Sequence, residues 1–238
     1  MPGNDANTKL LLHCDGADTS TTFTDASVAA HGNAGVNGTA QVDTSTKVFG
    51  TGSLSLDGDS DWLTYADSGD WDFLANNTDS WTIDMRVKLD QLTGDNWLIG
   101  QSAASNAKWV LFHRNGNGLW GFSDGRLSFS GGEITDSNWH HVAIIKVANE
   151  FGTYLDGVQG GYGTGTGNGT YAGQLMIGRL EHQAQLVDGH MDEIRIQKDN
   201  YFGAAPNAGK TDTITVPSYA YSDSPDPLFI PPQGLIIA

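Results

Sequence analysis

The stretches that decide the fold are Trp-His-His-Val-Ala-Ile-Ile-Lys at 139–146 and Tyr-Leu-Asp-Gly-Val at 154–158. They predict two strands close together in the chain, the second ending in a tight turn. Asp156-Gly157 suits a type I′ hairpin turn, because both central residues of that turn need positive φ. A third stretch, Gly-His-Met-Asp-Glu-Ile-Arg-Ile at 189–196, predicts a later strand.

Working outward, similar short runs recur along most of the chain and are separated by Gly-rich or Asp-Gly turns. The clearest run is Trp81 to Leu89, in which apolar and polar residues alternate as in a strand with one buried face. Many short strands at this spacing indicate a sandwich, and no helical period of useful length is present. The predicted strands are Lys9–Cys14, Ser53–Leu56, Trp62–Tyr65, Trp81–Leu89, Trp97–Gln101, Trp109–His113, Leu119–Phe122, Leu127–Ser130, His140–Val147, Thr153–Leu155, Leu175–Ile177 and His190–Gln197.

The order of these stretches resembles the laminin-G-like, concanavalin A-like jelly-roll family. That family has a Trp-His-His-Val-Ala strand, a Tyr-x-Asp-Gly-x hairpin and a closing Gly-x-x-Asp-Glu-x-Arg-x strand. The stretches beginning at Leu10, Gly52 and Trp81 resemble its earlier signatures. The resemblance implies an all-β fold, an antiparallel jelly-roll sandwich over residues 8–202. It favours a binding or display module over an enzyme. Residues 203–238 are then an extended, Pro-containing C-terminal arm.

Composition narrows the classes of partner. The chain has 238 residues, 12 Lys and Arg against 28 Asp and Glu, and a formal net charge of −16. Such an acidic surface repels nucleic acid and anionic membranes. No apolar run reaches the length of a membrane span, and the N-terminus lacks the basic and apolar regions of a signal peptide. We therefore expect synthesis in a cytoplasm without export by that route.

The carboxylates do not predict catalysis. Retaining glucanases on this fold carry two Glu a few residues apart on one strand, since nucleophile and acid must face each other across about 5 Å. The four Glu of this chain are Glu133, Glu150, Glu181 and Glu193, and the closest two fall on different predicted elements. We expect a protein that is not an enzyme.

A structural calcium ion is implied by the resemblance, between the first and last strands of the sandwich. Asp192 on the closing strand and Asp15, with the Gly16 carbonyl, after the opening strand match the ligands. The alternative is that Asp192 accepts backbone N–H groups from the first loop. The single cysteine, Cys14, is expected to be a small buried hydrophobe.

Sugar binding would require exposed aromatic rings with polar neighbours. Trp97, Trp109, Trp120 and Tyr162 are the candidates, with Tyr171 beside them. The alternative for each is an ordinary place in the core. Apolar residues of the arm lie beyond the last predicted strand and, unless they cap the sandwich, are expected to be dispensable for folding: Tyr219, Tyr221, Leu228, Phe229, Ile230, Leu235, Ile236 and Ile237. Assembly is assigned to five of them, Leu228, Phe229, Ile230, Leu235 and Ile236.

Three functions follow in order of preference. The first is a non-enzymatic phage virion surface protein, a decoration, fibre or tail component with a lectin-like domain that binds other virion proteins or copies of itself through the arm. Laminin-G-like domains that open near the initiator Met with Leu-Leu-Leu-His-x-Asp-Gly, the motif at 10–16 here, resemble phage-encoded proteins. The second is a bacterial, extracellular carbohydrate-binding module or lectin, and the third is a glycoside hydrolase or polysaccharide lyase.

Overall fold

The computed structural model describes residues 4–76, 78–103, 106–123, 127–165, 170–180 and 186–224, and the side chains of residues 102–108 and 122–128 fall outside this description. The fold is all-β, with 44% of the residues in strands and 2% in helix. Two antiparallel sheets, of eight and seven strands, face each other as a sandwich of the expected jelly-roll type. Within the described residues, no helix has the length and apolar character needed to cross a bilayer.

The eight-stranded sheet runs β13-β12-β11-β6-β15-β4-β3, with β1 added beside β15, and the seven-stranded sheet runs β10-β9-β8-β7-β14-β5-β2. A single 3₁₀ turn, Gly69–Trp71, interrupts the strands of the described chain. The strands are β1 Thr8–Leu12, β2 Gly35–Asn37, β3 Gln41–Asp43, β4 Ser53–Asp57, β5 Trp62–Tyr65, β6 Trp81–Leu89, β7 Asp95–Ala103, β8 Asn106–Arg114, β9 Gly118–Ser123, β10 Leu127–Gly131, β11 His140–Val147, β12 Glu150–Leu155, β13 Val158–Thr164, β14 Gln174–Ile177 and β15 Asp188–Gln197.

The alternation of β6 sets the two faces of the eight-stranded sheet. Its apolar residues from Trp81 to Leu89 are buried in the main core between the sheets, as the sequence predicts. The hairpin turn is also confirmed, because Asp156 has φ 48° and Gly157 has φ 86° between the paired ends of β12 and β13. Cys14 is buried in the same core, as expected of a small hydrophobe.

One segment differs from its prediction. The Gly-rich stretch that begins at Gly160, which is absent from the strands predicted above, forms much of β13 at the sheet edge. A Cβ atom added to Gly131 would lie 2.0 Å from the carbonyl oxygen of Gly160. The glycines are therefore required for the close approach of β10 and β13, which brings the two sheets together along this edge.

The described part of the C-terminal arm differs from its prediction at Tyr221, which is buried and donates its hydroxyl to Asp84 instead of being dispensable to the sandwich. We call residues 200–224 the C-terminal strap. It covers the outer face of β11 and β12, where Ala204 and Ile214 pack against Ala143, Ile145 and Tyr154 in a second apolar cluster. The strap is therefore part of the packed sandwich, because it buries apolar side chains that β11 and β12 turn away from the main core. The predicted assembly residues, from Leu228 to Ile236, lie outside the described residues.

Candidate functional site

A row of aromatic side chains lies on the outer face of the seven-stranded sheet. Trp97 on β7, Phe112 on β8 and Trp120 on β9 occupy paired positions of three neighbouring strands. The Trp97 and Phe112 rings stack with centroids 4.3 Å apart, and the Phe112 and Trp120 rings follow at 6.0 Å. The register of the sheet therefore brings together two of the four aromatic residues predicted to bind glycans.

A charged pair completes this row. The Arg114 guanidinium lies 5.2 Å from the centre of the Phe112 ring and 5.3 Å from that of Trp120. Its Nε and Nη2 donate to the two carboxylate oxygens of Asp95, at 2.7 and 2.6 Å. The hydrogen bond to Asp95 raises the pKa of Arg114 above its ordinary value. An aromatic ring beside a fixed array of donors and acceptors is the arrangement that a sugar needs.

Exposure decides which member of the row a ligand would meet first. Trp97 is 8% exposed and Phe112 4% exposed, and Leu180 packs against them. Trp120 is half-buried, and the Arg114 side chain is 40% exposed. We call Trp120, Arg114 and Asp95 the aromatic edge. Phe112 and Trp97 form the stack behind it, which fixes the Trp120 ring in place.

The other predicted glycan residues lie elsewhere. Trp109 is 2% exposed in the main core, and its indole N–H donates to the Trp71 carbonyl oxygen at 2.7 Å. The prediction for Trp109 is wrong, because neither face of its ring reaches the surface. Tyr162 belongs to β13 in the other sheet, where its hydroxyl donates to Glu150 at 2.9 Å. Tyr171 packs against the main core.

Asp192 and Asp15 hold one loop from two sides. Asp192 is fully buried and accepts the backbone N–H groups of Val48 and Phe49, at 2.9 and 3.2 Å. Asp15 is exposed and accepts the N–H groups of Thr51 and Gly52. The two carboxylates thus position the loop that leads into β4. This is the alternative weighed above, except that the donors come from the loop before β4 rather than from the first loop.

Calcium at this place stays a prediction. The Asp192 oxygens are engaged by backbone donors, and the Gly16 N–H donates to the Thr51 hydroxyl. Within the described residues, no group of three or more His, Cys, Asp or Glu side chains is arranged to hold a metal ion. Burial raises the pKa of Asp192 to about 7, although its backbone hydrogen bonds act in the opposite direction. The residues as placed serve the loop and do not form a ligand set.

Sequence reasoning missed a buried polar cluster beneath the strap. Asp84 on β6 accepts from Arg195 at 2.9 Å, from His141 at 3.1 Å and from the Tyr221 hydroxyl at 2.5 Å. The Arg195 guanidinium lies 3.6 Å and 3.9 Å from the centres of the Tyr201 and Tyr221 rings. Burial raises the pKa of Asp84, but Arg195 and these hydrogen bonds outweigh it, so the pKa stays below its ordinary value.

The family follows from a match over most of this sandwich. The family model described as the concanavalin A-like lectin/glucanases superfamily, of the laminin-G type, matches residues 57–201. The chain belongs to this superfamily. The match runs from the end of β4 through β15, so it includes the strands that carry the aromatic edge and most of those of the eight-stranded sheet.

Solved members of the fold give the same sandwich at low identity. Domain 4 of AbnA, a GH43 extracellular arabinanase from Geobacillus stearothermophilus, in complex with arabinotriose, is 20% identical with a TM-score of 0.61; the match covers 82% of this chain and 94% of that domain. The binding domain of botulinum neurotoxin DC in complex with SialylT is 13% identical, with a TM-score of 0.57 and coverage of 82% and 48%. No curated protein sequence matches the chain.

A third solved structure shows how the same sandwich occurs inside a larger protein. Trypanosoma rangeli sialidase in complex with the inhibitor DANA is 15% identical, with a TM-score of 0.54. The match covers 84% of this chain but only 31% of the sialidase chain. At these identities, the likeness of this superfamily member to the solved structures concerns the fold alone.

Proposed function

We propose that this protein is a non-enzymatic, lectin-like module that binds glycans at the aromatic edge. The observation that carries the proposal is the position of Trp120 and the Arg114–Asp95 pair on one open sheet face. The ring offers a flat apolar surface for the C–H face of a sugar, and the fixed pair offers donors and acceptors to its hydroxyls. The carbohydrate complexes of the fold relatives are consistent with this use.

The environments of the described Glu residues support a non-catalytic role. Glu193 accepts the backbone N–H of Tyr221 at 2.9 Å and lies 2.7 Å from the His13 ring, beneath the strap. Glu150 accepts from Tyr162, and Glu133 accepts the backbone N–H of Gly116. A retaining pair needs two carboxyl groups about 5 Å apart with substrate between them. These three Glu side chains instead serve structural contacts at three separate places.

We further propose that the module is carried on the surface of a virion and attaches through residues 225–238. Asn4 donates to the carbonyl oxygens of Ala26 and Asp223, at 2.7 and 3.0 Å, and this ties the strap to the N-terminal segment. The apolar stretch from Leu228 to Ile236 therefore continues from one defined point of the surface. A docking peptide that continues from a pinned strap loses less freedom when it binds.

Two measurements on one polysaccharide panel test the proposed function. The purified protein is run in affinity gels that contain β-glucan, arabinan, alginate, agar or chitin, and the same mixtures are assayed for reducing ends. We expect retardation by at least one polysaccharide and no release of reducing ends. Turnover that survives repurification and disappears on changing one carboxylate would contradict the non-enzymatic role, and migration unchanged in every gel would contradict glycan binding.

The virion role has its own test. Particles that carry the full chain are compared with particles made in the presence of a chain that lacks residues 225–238. We expect the shortened protein to fold and to be missing from purified particles. Equal incorporation of both forms would contradict attachment through this segment while leaving glycan binding untouched.

A further inference from the structure

A cavity of about 380 Å³ opens where β1 ends, between the following loop and the end of the strap. Its wall includes Asp15, Ser20, Thr22 and Asp223, and Phe23 is buried at its base. This is the lower end of the volume range of small-molecule sites. It has room for a single sugar unit and leaves the rest of a longer chain in solvent.

The charges around the cavity are mostly negative. Asp15 is exposed and holds the loop before β4 through Oδ1, and Asp223, whose side chain is 78% exposed, meets His13 through Oδ1, so the Oδ2 atom of each carboxylate is left for a ligand. Among the described residues that line the cavity there is no Lys or Arg. An anionic sugar would therefore meet like charges, whereas a cationic group would meet two carboxylates.

His13 also lies in the wall of the cavity, but it does not cancel the negative charge of the carboxylates there. Its Nδ1 lies 2.7 Å from Glu193, and its Nε2 lies 2.8 Å from Asp223. Burial lowers the pKa of His13, but Glu193 and then Asp223 outweigh it and raise the pKa above its ordinary value. Even when protonated, one imidazolium stands among three carboxylates, those of Asp15, Glu193 and Asp223.

We infer that this cavity binds a sugar unit that carries a free ammonium group, an unacetylated amino sugar. The inference rests on the proposed glycan-binding function and adds a second place of contact, remote in sequence from the aromatic edge. The ammonium pairs with Asp15 and Asp223, and the sugar hydroxyls exchange hydrogen bonds with Ser20 and Thr22. Phe23 and Cys14 close the base, so the ring rests on apolar atoms.

Two probes that differ only in this charge test the inference. Chitosan oligosaccharides carry the free amine, and chitin oligosaccharides of the same length carry the acetylated, neutral form. Titration calorimetry is done on the full chain at mildly acidic pH in buffer stripped of divalent ions, so that calcium at Asp15 plays no part. We expect the chitosan oligosaccharide to bind more tightly, and Asp15→Asn and Asp223→Asn each to weaken it about 2- to 5-fold.

Asp59→Asn is the matched control, because it removes the same charge from an exposed turn that does not line the cavity. We expect it to leave chitosan binding unchanged, and we expect the His13 ring resonances to shift on addition of chitosan. An equal loss in Asp59→Asn would overturn the inference by showing a general attraction to an acidic protein. Absent or equal binding of the two probes would also overturn it, and retained binding of other glycans at Trp120 would show that only the cavity assignment had failed.

Discussion

At the scale of single residues, buried charge is concentrated at Asp84, which is 1% exposed and pairs with the fully buried Arg195. Asp84→Asn is expected to lower the free energy of unfolding by about 3–5 kcal/mol, because it leaves a guanidinium buried without its counter-charge. Urea denaturation measures this change. The double variant Asp84→Asn, Arg195→Met should be closer to the wild type than Asp84→Asn alone, and equal stability of Asp84→Asn and wild type would contradict the pairing.

Asp192 gives a prediction about pH. Its pKa is raised to about 7 in the folded protein by burial, against 3.8 when unperturbed. The folded state thus holds the proton of Asp192 more tightly, so the contribution of Asp192 to stability is greatest below about pH 4 and is lost as the pH rises to about 7, by up to about 4 kcal/mol. Asp192→Asn should flatten this part of the profile. A wild-type profile that rises across the same range, and is unchanged in Asp192→Asn, would contradict the effect of burial.

For single residues, the sequence predicts that side chains alternate between the two faces of a strand, but not which face points into the core. From Trp109 to Phe112, alternate side chains lie on opposite faces of the strand, and each face carries one aromatic residue. Which set faces inward depends on the partner strands, and a bulge between Trp97 and Ile99 changes the phase again. That is why Trp97 and Trp120 lie on the outer face while Trp109 lies in the core. The Arg114–Asp95 pair likewise depends on the register of β7 against β8.

At the scale of elements, the strap is expected to be necessary for folding. Its removal would expose the apolar cluster on β11 and β12 and would take away Tyr221, which bonds to Asp84 and Glu193. A chain ending at residue 199 should therefore aggregate or melt well below the full chain, whereas one ending at residue 224 should melt close to it. Thermal melting followed by circular dichroism measures both, and a cooperative, equally stable chain without the strap would contradict this role.

Calcium is tested at the loop that Asp15 and Asp192 hold. If the ion binds there, added calcium should raise the melting temperature, because an ion that binds only the folded state stabilises it by about 2.7 kcal/mol at a hundredfold excess over Kd. Asp192→Asn should remove the response. Asp43→Asn, on β3, removes a charge elsewhere and should keep it. Identical melting of the wild type in calcium and in chelator would rule out a significant structural ion.

Elements were predictable where local pattern and local chemistry agree. The strand from Trp81 to Leu89 has clean alternation, and the Asp156-Gly157 turn has a required backbone geometry. The strand around Gly160 has little alternation of this kind. Its glycines are needed because the neighbouring sheet edge at Gly131 comes so close, and that approach is not visible in the local sequence. The strap also lacks a strand pattern in its sequence. Tertiary contacts hold it in place, such as the hydrogen bond from the Tyr154 hydroxyl to Asp212 at 2.7 Å.

At the scale of the whole molecule, the two sheets have different outer faces. The strap occupies much of the outer face of the eight-stranded sheet, over β11 and β12. The outer face of the seven-stranded sheet carries the aromatic edge, with Trp120 half-buried. The fold class was predictable from the order of its strand motifs, but this difference between the faces was not, because it depends on where the chain packs after β15.

The central claim, glycan binding at the aromatic edge, is tested most directly by calorimetric titration of the polysaccharide that retards the protein most. Wild type is compared with Trp120→Ala and with Trp139→Ala, which removes a partly buried indole beside His190 on the other sheet. We expect Trp120→Ala to weaken binding about tenfold, which corresponds to about 1.4 kcal/mol, and Trp139→Ala to bind as the wild type does. Unchanged affinity in a folded Trp120→Ala protein would contradict the account.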